Sequence, residues 1–134
     1  MPGYSGTPLP KKLGIKDGFR VQLVAAPAEV LGELKAALAP CEVVRDSKTL
    51  LDFAHVFTTS KVELTKEFKR IMKVLAPAGM LWVSWPKKSS GVATDLDENV
   101  VREIGLAAGL VDVKVCAVTD VWSGLKFVRR VKDR

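Results

Sequence analysis

The sequence is poor in the residues from which metal centres and disulfide frameworks are built. It has a single histidine, His55, and two cysteines, Cys41 and Cys116, among 134 residues. One imidazole argues against a histidine-based metal site. Both cysteines stand within apolar runs, which predicts two buried, unpaired thiols in a reducing compartment.

Long apolar segments are missing as well. Stretches such as Leu23–Ala28 fall far short of the roughly 20 residues that span a bilayer. No basic segment followed by an apolar one opens the chain, so we expect a cytoplasmic protein without a membrane partner. Apolar residues make up 48% of the chain, which is enough to fill the core of one domain.

The net charge of +6 is concentrated at the two ends of the chain. Residues 1–20 and 126–134 are both basic, whereas the middle is nearly neutral. If the two ends meet in the fold, they form a patch for phosphate or nucleic acid, although the sequence carries no nucleic-acid-binding motif. A dispersed, solvated surface charge is the alternative interpretation.

Alternating strand and helix patterns predict an open α/β sheet with helices on both faces. Helices are predicted from Pro27 to Pro40, from a capping box at Ser60 to the breakers Pro77 and Gly79, and over 96–108. Asp95 with Glu98 is predicted to cap the third helix, and Gly109 to end it in the left-handed conformation. The predicted strands are Arg20–Ala26, Cys41–Arg45, Phe53–Thr58, Met80–Trp85, Leu110–Val118 and Leu125–Val131.

Two further patterns concern the ends of the chain. The connection from Asp120 to Gly124 is too short for a crossover helix, so the last two strands are predicted to pair antiparallel. Glycine and proline recur through residues 1–19, which predicts an arm or lid lying on a single domain of residues 20–134.

Three segments carry a resemblance to a known family. Leu13–Gly18 before Arg20, Lys73–Gly79 before Met80, and helix 96–108 before Gly109 together resemble a trimmed class I S-adenosylmethionine-dependent methyltransferase. The resemblance implies a Rossmann-like, mostly parallel sheet with a C-terminal antiparallel strand pair.

The same resemblance bears on the cofactor. It implies a glycine-rich turn after the first strand, where this chain has Ala25, Ala26 and Pro27, and a ribose-binding carboxylate for which Asp46 is the candidate. Because proline lacks an amide hydrogen and alanine hinders close approach, S-adenosylmethionine is disfavoured and no cofactor is expected.

Shorter motifs resemble a bacterial family of small proteins to which no activity is assigned. They are Tyr4–Leu9, Trp85–Lys88, Ser90–Asp95 and Trp122–Lys126. This resemblance implies family membership but no reaction.

Ligands of open α/β sheets bind beyond the carboxyl ends of the strands, and one loop there has suitable chemistry. The loop after the fourth predicted strand combines charge, hydroxyl donors and a glycine that admits close backbone approach, which suits a phosphate or carboxylate. A solvated loop before a capped helix is the alternative interpretation. The candidate ligand-binding residues of the loop are Lys87, Lys88, Ser89, Ser90, Gly91 and Thr94.

Aromatic residues at the same rim have two interpretations. Trp85 and Trp122 each end a predicted strand, and with Tyr4 of the arm they are candidates for stacking on a ring, or else they pack in the core. His55 lies in the middle of a predicted strand and is expected to be buried and hydrogen-bonded. The preference of helix starts for negative charge is enough to explain the acidic residues Asp95, Asp97 and Glu98 without a catalytic role.

No catalytic residue is therefore predicted. The sequence favours a noncatalytic methyltransferase-like module that binds an anionic small molecule or partner at the strand-end rim. A divergent S-adenosylmethionine-dependent methyltransferase and a basic interaction subunit are the alternatives.

Overall fold

A computed structural model describes residues 6–46 and 48–134. Four helices and six strands follow the alternating order that the sequence predicts, apart from a short helix before the first strand. In chain order they are α1 (Leu9–Leu13), β1 (Arg20–Val24), α2 (Ala28–Leu38), β2 (Glu42–Val43), β3 (Leu51–Phe57), α3 (Lys61–Met72), β4 (Leu75–Pro86), α4 (Glu98–Ala107), β5 (Leu110–Ala117) and β6 (Trp122–Arg129). Two single 3₁₀ turns follow β4 and β6.

The strands form one six-stranded sheet in the order β2-β1-β3-β4-β6-β5. The first four strands in that order are parallel, while β6 runs antiparallel to both β4 and β5. The predicted fold class is confirmed, including the C-terminal antiparallel pair. Among the described residues between β2 and β3, which are 44–46 and 48–50, no helix is present, so this connection lacks the helix that the other parallel strand pairs have.

Two apolar clusters fill the two faces of the sheet. On one face α3 and α4 contribute Leu64, Phe68 and Val101. On the other face α1 and α2 contribute residues such as Leu13 and Leu34. The indole Nε1 of Trp82 donates to the carbonyl oxygen of Leu13 at 2.8 Å, which fastens α1 to the middle of the sheet. The division into an arm of residues 1–19 and a domain of residues 20–134 stays a prediction, but its stretch Leu9–Leu13 packs within this core.

The end of α3 differs from the prediction. The helix stops at Met72, and β4 begins at Leu75 and passes through Pro77 and Gly79, which the sequence pattern placed at the helix end. An irregularity in the β3–β4 pairing near Leu51 accommodates these residues. A Cβ on Gly79 would lie 2.7 Å from the carbonyl oxygen of Leu51, so glycine is needed for this close approach.

The start of α4 also differs. Its cap is Asp97, whose carboxylate accepts from the amide of Val100 at 2.8 Å. Asp95 instead accepts from the amide of Lys61 at 2.8 Å and so caps α3, a different helix. The predicted left-handed end at Gly109 is confirmed, with a φ of 100°.

The two cysteines are free, as predicted, but neither is fully buried. Cys41 lies in the turn before β2 rather than on a strand, and its thiol approaches the carbonyl of Lys16 at 3.3 Å. Cys116 lies near the end of β5, an edge strand that pairs with a neighbouring strand on one side only. Burial raises the pKa of the Cys116 thiol, and the charges of Lys12 and Lys114 oppose that rise.

Candidate functional site

The order of the strands places a crevice between β1 and β3. From β1 the chain moves outward to β2, then returns across β1 to form β3 and β4 on the other side. The direction of winding therefore reverses between β1 and β3. In open α/β sheets this reversal point, at the carboxyl ends of the strands, is where ligands bind.

The turn after β1 adopts an unusual backbone conformation. Ala25 follows the last residue of β1 and has a φ of 57°, the one left-handed non-glycine residue among those described. Left-handed geometry costs an L-residue roughly 1–2 kcal/mol. Pro27 then caps α2, so its missing amide hydrogen falls outside the helix. The turn thus has the backbone geometry that glycine favours, with alanine in its place.

A cavity of about 340 Å³ opens beside this turn. Its walls come from the ends of β1 and β3 and from the first two turns of α3. The lining residues are Val24, Ala25, Val56, Phe57, Thr58, Glu63, Lys66 and Glu67. The sequence pattern identified the strand ends, but it missed the contribution of α3.

The polar groups of this cavity are tied to one another. The Thr58 hydroxyl donates to the Glu63 carboxylate at 3.4 Å and accepts from the amide of Ser60 at 3.1 Å. The Ser60 hydroxyl accepts from the amide of Glu63 at 3.3 Å, as the capping box predicts, whereas the Glu63 side chain turns toward Thr58. Glu67 forms an ion pair with Arg70. Glu63 is exposed and remains available at the cavity wall.

Asp46, the carboxylate that the family resemblance pointed to, lies elsewhere. It follows β2 on an exposed turn and does not line the cavity. Because β2 spans only Glu42–Val43, the chain leaves the sheet before it reaches Asp46. Glu63 and Glu67 are the acidic residues that the fold places at the crevice, and Glu67 is held in an ion pair with Arg70. The place of Glu63 in the capping box was the sequence signal for it.

His55 is buried in the core, as predicted. Its Nε2 lies 2.7 Å from the Ser84 hydroxyl, and its ring stacks on Phe57 with centroids 4.1 Å apart. Its Nδ1 has no partner among the residues that the structure describes. Burial lowers the pKa of His55 to about 3, so the imidazole is neutral at physiological pH. It is fully buried and lines neither the cavity between β1 and β3 nor the one beside the loop after β4.

The loop after β4 forms a separate cavity of about 400 Å³. Lys88, Gly91 and Thr94 line it together with the carboxylates of Asp95 and Asp97. The hydroxyls that were expected to bind an anion are used internally: Ser90 donates to the carbonyl of Lys87 at 2.6 Å, and Thr94 to that of Thr59 at 2.7 Å. Lys88 and Ser89 are exposed, and Lys87 is half-buried. An anion site in this loop stays a prediction.

The structure does not bring the two tryptophans together. Trp85 is buried in the α3–α4 face of the sheet, whereas Trp122 packs on the opposite face, edge-on to Phe57 at 5.4 Å. They occupy neighbouring register positions on β4 and β6, and the pleat turns them apart. Tyr4 lies outside the described residues.

The structure also bears on two classes of function that the sequence argued against, metal binding and membrane spanning. No group of three histidine, cysteine or acidic side chains in residues 6–46 and 48–134 is placed to hold a metal ion. In the same ranges, no helix has the length and apolar character needed to cross a membrane.

Comparison with known proteins supports the fold. No protein-family model matches the sequence, and no curated protein does. The resemblance to a bacterial family of small proteins therefore stays a prediction. A methyltransferase dependent on S-adenosylmethionine from Aquifex aeolicus has a similar structure at 19% identity, with a TM-score of 0.61 over 87% of this chain and 85% of that one.

Two other similar structures were solved with the cofactor or its product. Aeropyrum pernix fibrillarin, with natively bound S-adenosyl-L-methionine, matches 94% of this chain and 70% of its own at 11% identity and a TM-score of 0.56. Magnesium protoporphyrin IX methyltransferase from Synechocystis, with bound S-adenosylhomocysteine (SAH), is similar over 91% of this chain and 78% of its own, at 12% identity and a TM-score of 0.59. The chain has a methyltransferase-like, Rossmann-like fold.

These neighbours also correct one expectation. The sequence analysis predicted no cofactor because alanine replaces glycine after the first strand, and the cofactor-bound neighbours contradict that prediction. The physical reason is visible at Ala25, which adopts the left-handed conformation despite its Cβ. The prediction of no cofactor, which rested on the residue types of this turn, was therefore wrong.

Proposed function

We propose that this methyltransferase-like domain binds S-adenosylmethionine in the cavity between the carboxyl ends of β1 and β3. The observation that carries the proposal is the left-handed turn at Ala25, which borders that cavity at the point where the winding of the sheet reverses. Similar structures with bound S-adenosyl-L-methionine or SAH support it.

The residues of the cavity suit such a ligand. Its volume of about 340 Å³ lies within the range of roughly 300–1,000 Å³ that small-molecule sites occupy. The first amides of α2, at Ala28 and Glu29, have no hydrogen-bond acceptor among the described residues and would serve the carboxylate of the methionine part. Glu63 would accept from ribose hydroxyls. When bound, S-adenosylmethionine supplies a methyl group activated on a sulfonium.

Isothermal titration calorimetry with S-adenosylmethionine and SAH tests this proposal. We expect binding that Glu63→Gln weakens at least several-fold, because the amide lacks the charge that strengthens the hydrogen bond to a hydroxyl. Glu103→Gln is the matched control, since Glu103 is exposed on α4 and lines none of the cavities described above. No detectable heat with either ligand, or an equal loss in both variants, would contradict the proposal.

A binding role without methyl transfer is the second candidate. It is favoured by the state of the ionisable groups near the crevice: Glu67 is paired with Arg70, and His55 is buried with its pKa lowered to about 3. Neither side chain is therefore free to approach a methyl-group recipient. Incubating the protein and labelled S-adenosylmethionine with RNA, protein and small-molecule fractions tests this role, and labelled product in any fraction would contradict it.

A further inference from the structure

Two lysines face each other across the antiparallel edge of the sheet. Lys114 of β5 is the register partner of Lys126 of β6, so both side chains stand on the same face. Like charges directly opposite one another destabilise a sheet. Neither lysine belongs to an ion pair with any residue that the structure describes.

A β-bulge creates this opposition. Asp112 pairs with Phe127, and the register shifts at Val113 before Lys114 pairs with Lys126. Asp112 therefore stands on the α4 face, where it forms an ion pair with Arg102 at 2.9 Å, while Lys114 is turned to the α1 face. In a regular strand, with Val113 paired and no bulge, Lys114 would share the face of Asp112.

Helix α1 adds more positive charge to the same face. The ammonium of Lys114 donates to the carbonyl of Lys12 at 2.9 Å, and that of Lys12 donates to the carbonyl of Ala117 at 3.3 Å. These contacts hold α1 against the carboxyl-terminal half of β5. Between them lies a cavity of about 500 Å³, lined by Thr7, Lys11, Lys12, Lys114, Val115, Cys116 and Ala117. We call this cavity, with the adjoining Lys126, the lysine pocket.

Within the described part of the chain, no ion pair balances the positive charge of Lys126 in the lysine pocket. Desolvation lowers the pKa of Lys126, and the charges of Lys114 and Lys16 lower it further. The N-terminal basic segment thus does meet a residue of the C-terminal one, as the charge distribution in the sequence allowed. Arg129, by contrast, donates to the carbonyls of Met72 and Leu75 and belongs to another part of the surface.

We propose that the lysine pocket is a second binding site, specific for a ligand that carries two or more phosphate groups. Lysines of α1 and β5 line one concavity, and Lys126 of β6 stands beside it as the register partner of Lys114, so one polyanion can contact several of them. Phosphate oxygens accept hydrogen bonds from ammonium groups, and an anion between the opposed lysines would turn their repulsion into attraction. This site is independent of the crevice between β1 and β3 and does not rest on the proposed function.

Thermal unfolding in the presence of inorganic pyrophosphate, at constant ionic strength, tests this proposal. A pyrophosphate concentration about ten times the dissociation constant should raise the Tm of the wild type by roughly 5 °C. In Lys114→Gln/Lys126→Gln we expect this shift to disappear. The Tm without pyrophosphate should change little, because relief of the repulsion offsets the lost hydrogen bond from Lys114 to the Lys12 carbonyl. The control Lys35→Gln/Lys73→Gln removes the same charge from exposed positions outside the pocket and should keep the shift.

A second arm identifies the source of the phosphates. The same variants are titrated with a single-stranded RNA octamer, followed by fluorescence anisotropy. A Tm shift with pyrophosphate that depends on the lysine pocket supports a small phosphorylated ligand. If only RNA binding depends on the lysine pocket, the result supports a nucleic-acid backbone as the ligand. No response to either probe, or equal loss in the two double variants, would overturn the proposal. The readouts do not involve S-adenosylmethionine, so failure here is distinct from failure of the proposed function.

Discussion

Acid should destabilise this protein through one residue, His55. The sequence has no other histidine, so between pH 7 and pH 5 few other side chains change charge. In the folded state burial lowers the pKa of His55 to about 3, from an ordinary value of 6.5. The unfolded chain therefore takes up a proton as the pH falls below 6.5, and the folded chain does not. Through this residue, the free energy of unfolding does not change above about pH 7. It falls as the pH goes from 6.5 toward 3, and it falls no further below pH 3.

The magnitude follows from the two pKa values. Each pH unit in the declining range removes about 1.4 kcal/mol from the free energy of unfolding. Allowing for partial protonation near pH 6.5, the loss between pH 7 and pH 5 is about 2 kcal/mol. This is a large fraction of the roughly 5–15 kcal/mol that stabilises ordinary domains.

Urea denaturation at pH 7, 6 and 5, followed by tryptophan fluorescence, measures this loss. The comparison is the double variant His55→Phe/Ser84→Ala, which removes the titrating ring together with its hydrogen-bond partner at 2.7 Å. Removing both partners avoids leaving an unsatisfied buried hydroxyl. We expect the variant to have nearly the same stability at all three pH values. A wild-type loss below about 0.5 kcal/mol, or an equal loss in the variant, would refute the reasoning.

Further predictions concern the backbone. Gly32→Ala in α2, with nothing within 4 Å of the added Cβ, should raise the free energy of unfolding by about 0.5–1 kcal/mol. Gly105→Ala in α4 should lower it by about 2–3 kcal/mol, because its Cβ would lie 2.1 Å from Phe127; similar effects at both positions in urea denaturation would contradict this. Ala25→Gly should raise it by up to about 1 kcal/mol by relieving the left-handed alanine, and a decrease would show that the turn is unstrained.

Sequence periodicity predicted the parts of the fold that depend on local pattern. The alternation of apolar strands with amphipathic helices was sufficient to predict the fold class. The short connection before β6 was sufficient to predict that β6 runs antiparallel to β5. Local signals also located the Ser60 cap and the left-handed Gly109. These features depend on residues within a few positions of one another, so the sequence alone carries the information.

The features that were missed depend on contacts between distant segments. Asp95 caps α3, although Lys61 is 34 residues away along the chain. The bulge at Val113, which separates Asp112 from Lys114, follows from the pairing of β5 with β6 and leaves no mark on the alternation of the strand. The lysine pocket therefore could not be predicted, although each of its lysines was visible in the sequence.

Ala25 shows how a motif argument can fail at the site itself. The alanines after β1 were taken to hinder close approach to the backbone, yet Ala25 adopts the left-handed conformation that glycine favours, between paired strand β1 and the cap of α2 at Pro27. The cost of a left-handed alanine is roughly 1–2 kcal/mol, small enough for the packing of β1 and α2 to offset. What glycine would add is space for a ligand to approach the backbone, and one methyl group is a modest obstacle beside a cavity of about 340 Å³. Residue type at such a turn thus bears on how closely a ligand can approach the backbone, whereas the topology places the crevice between β1 and β3.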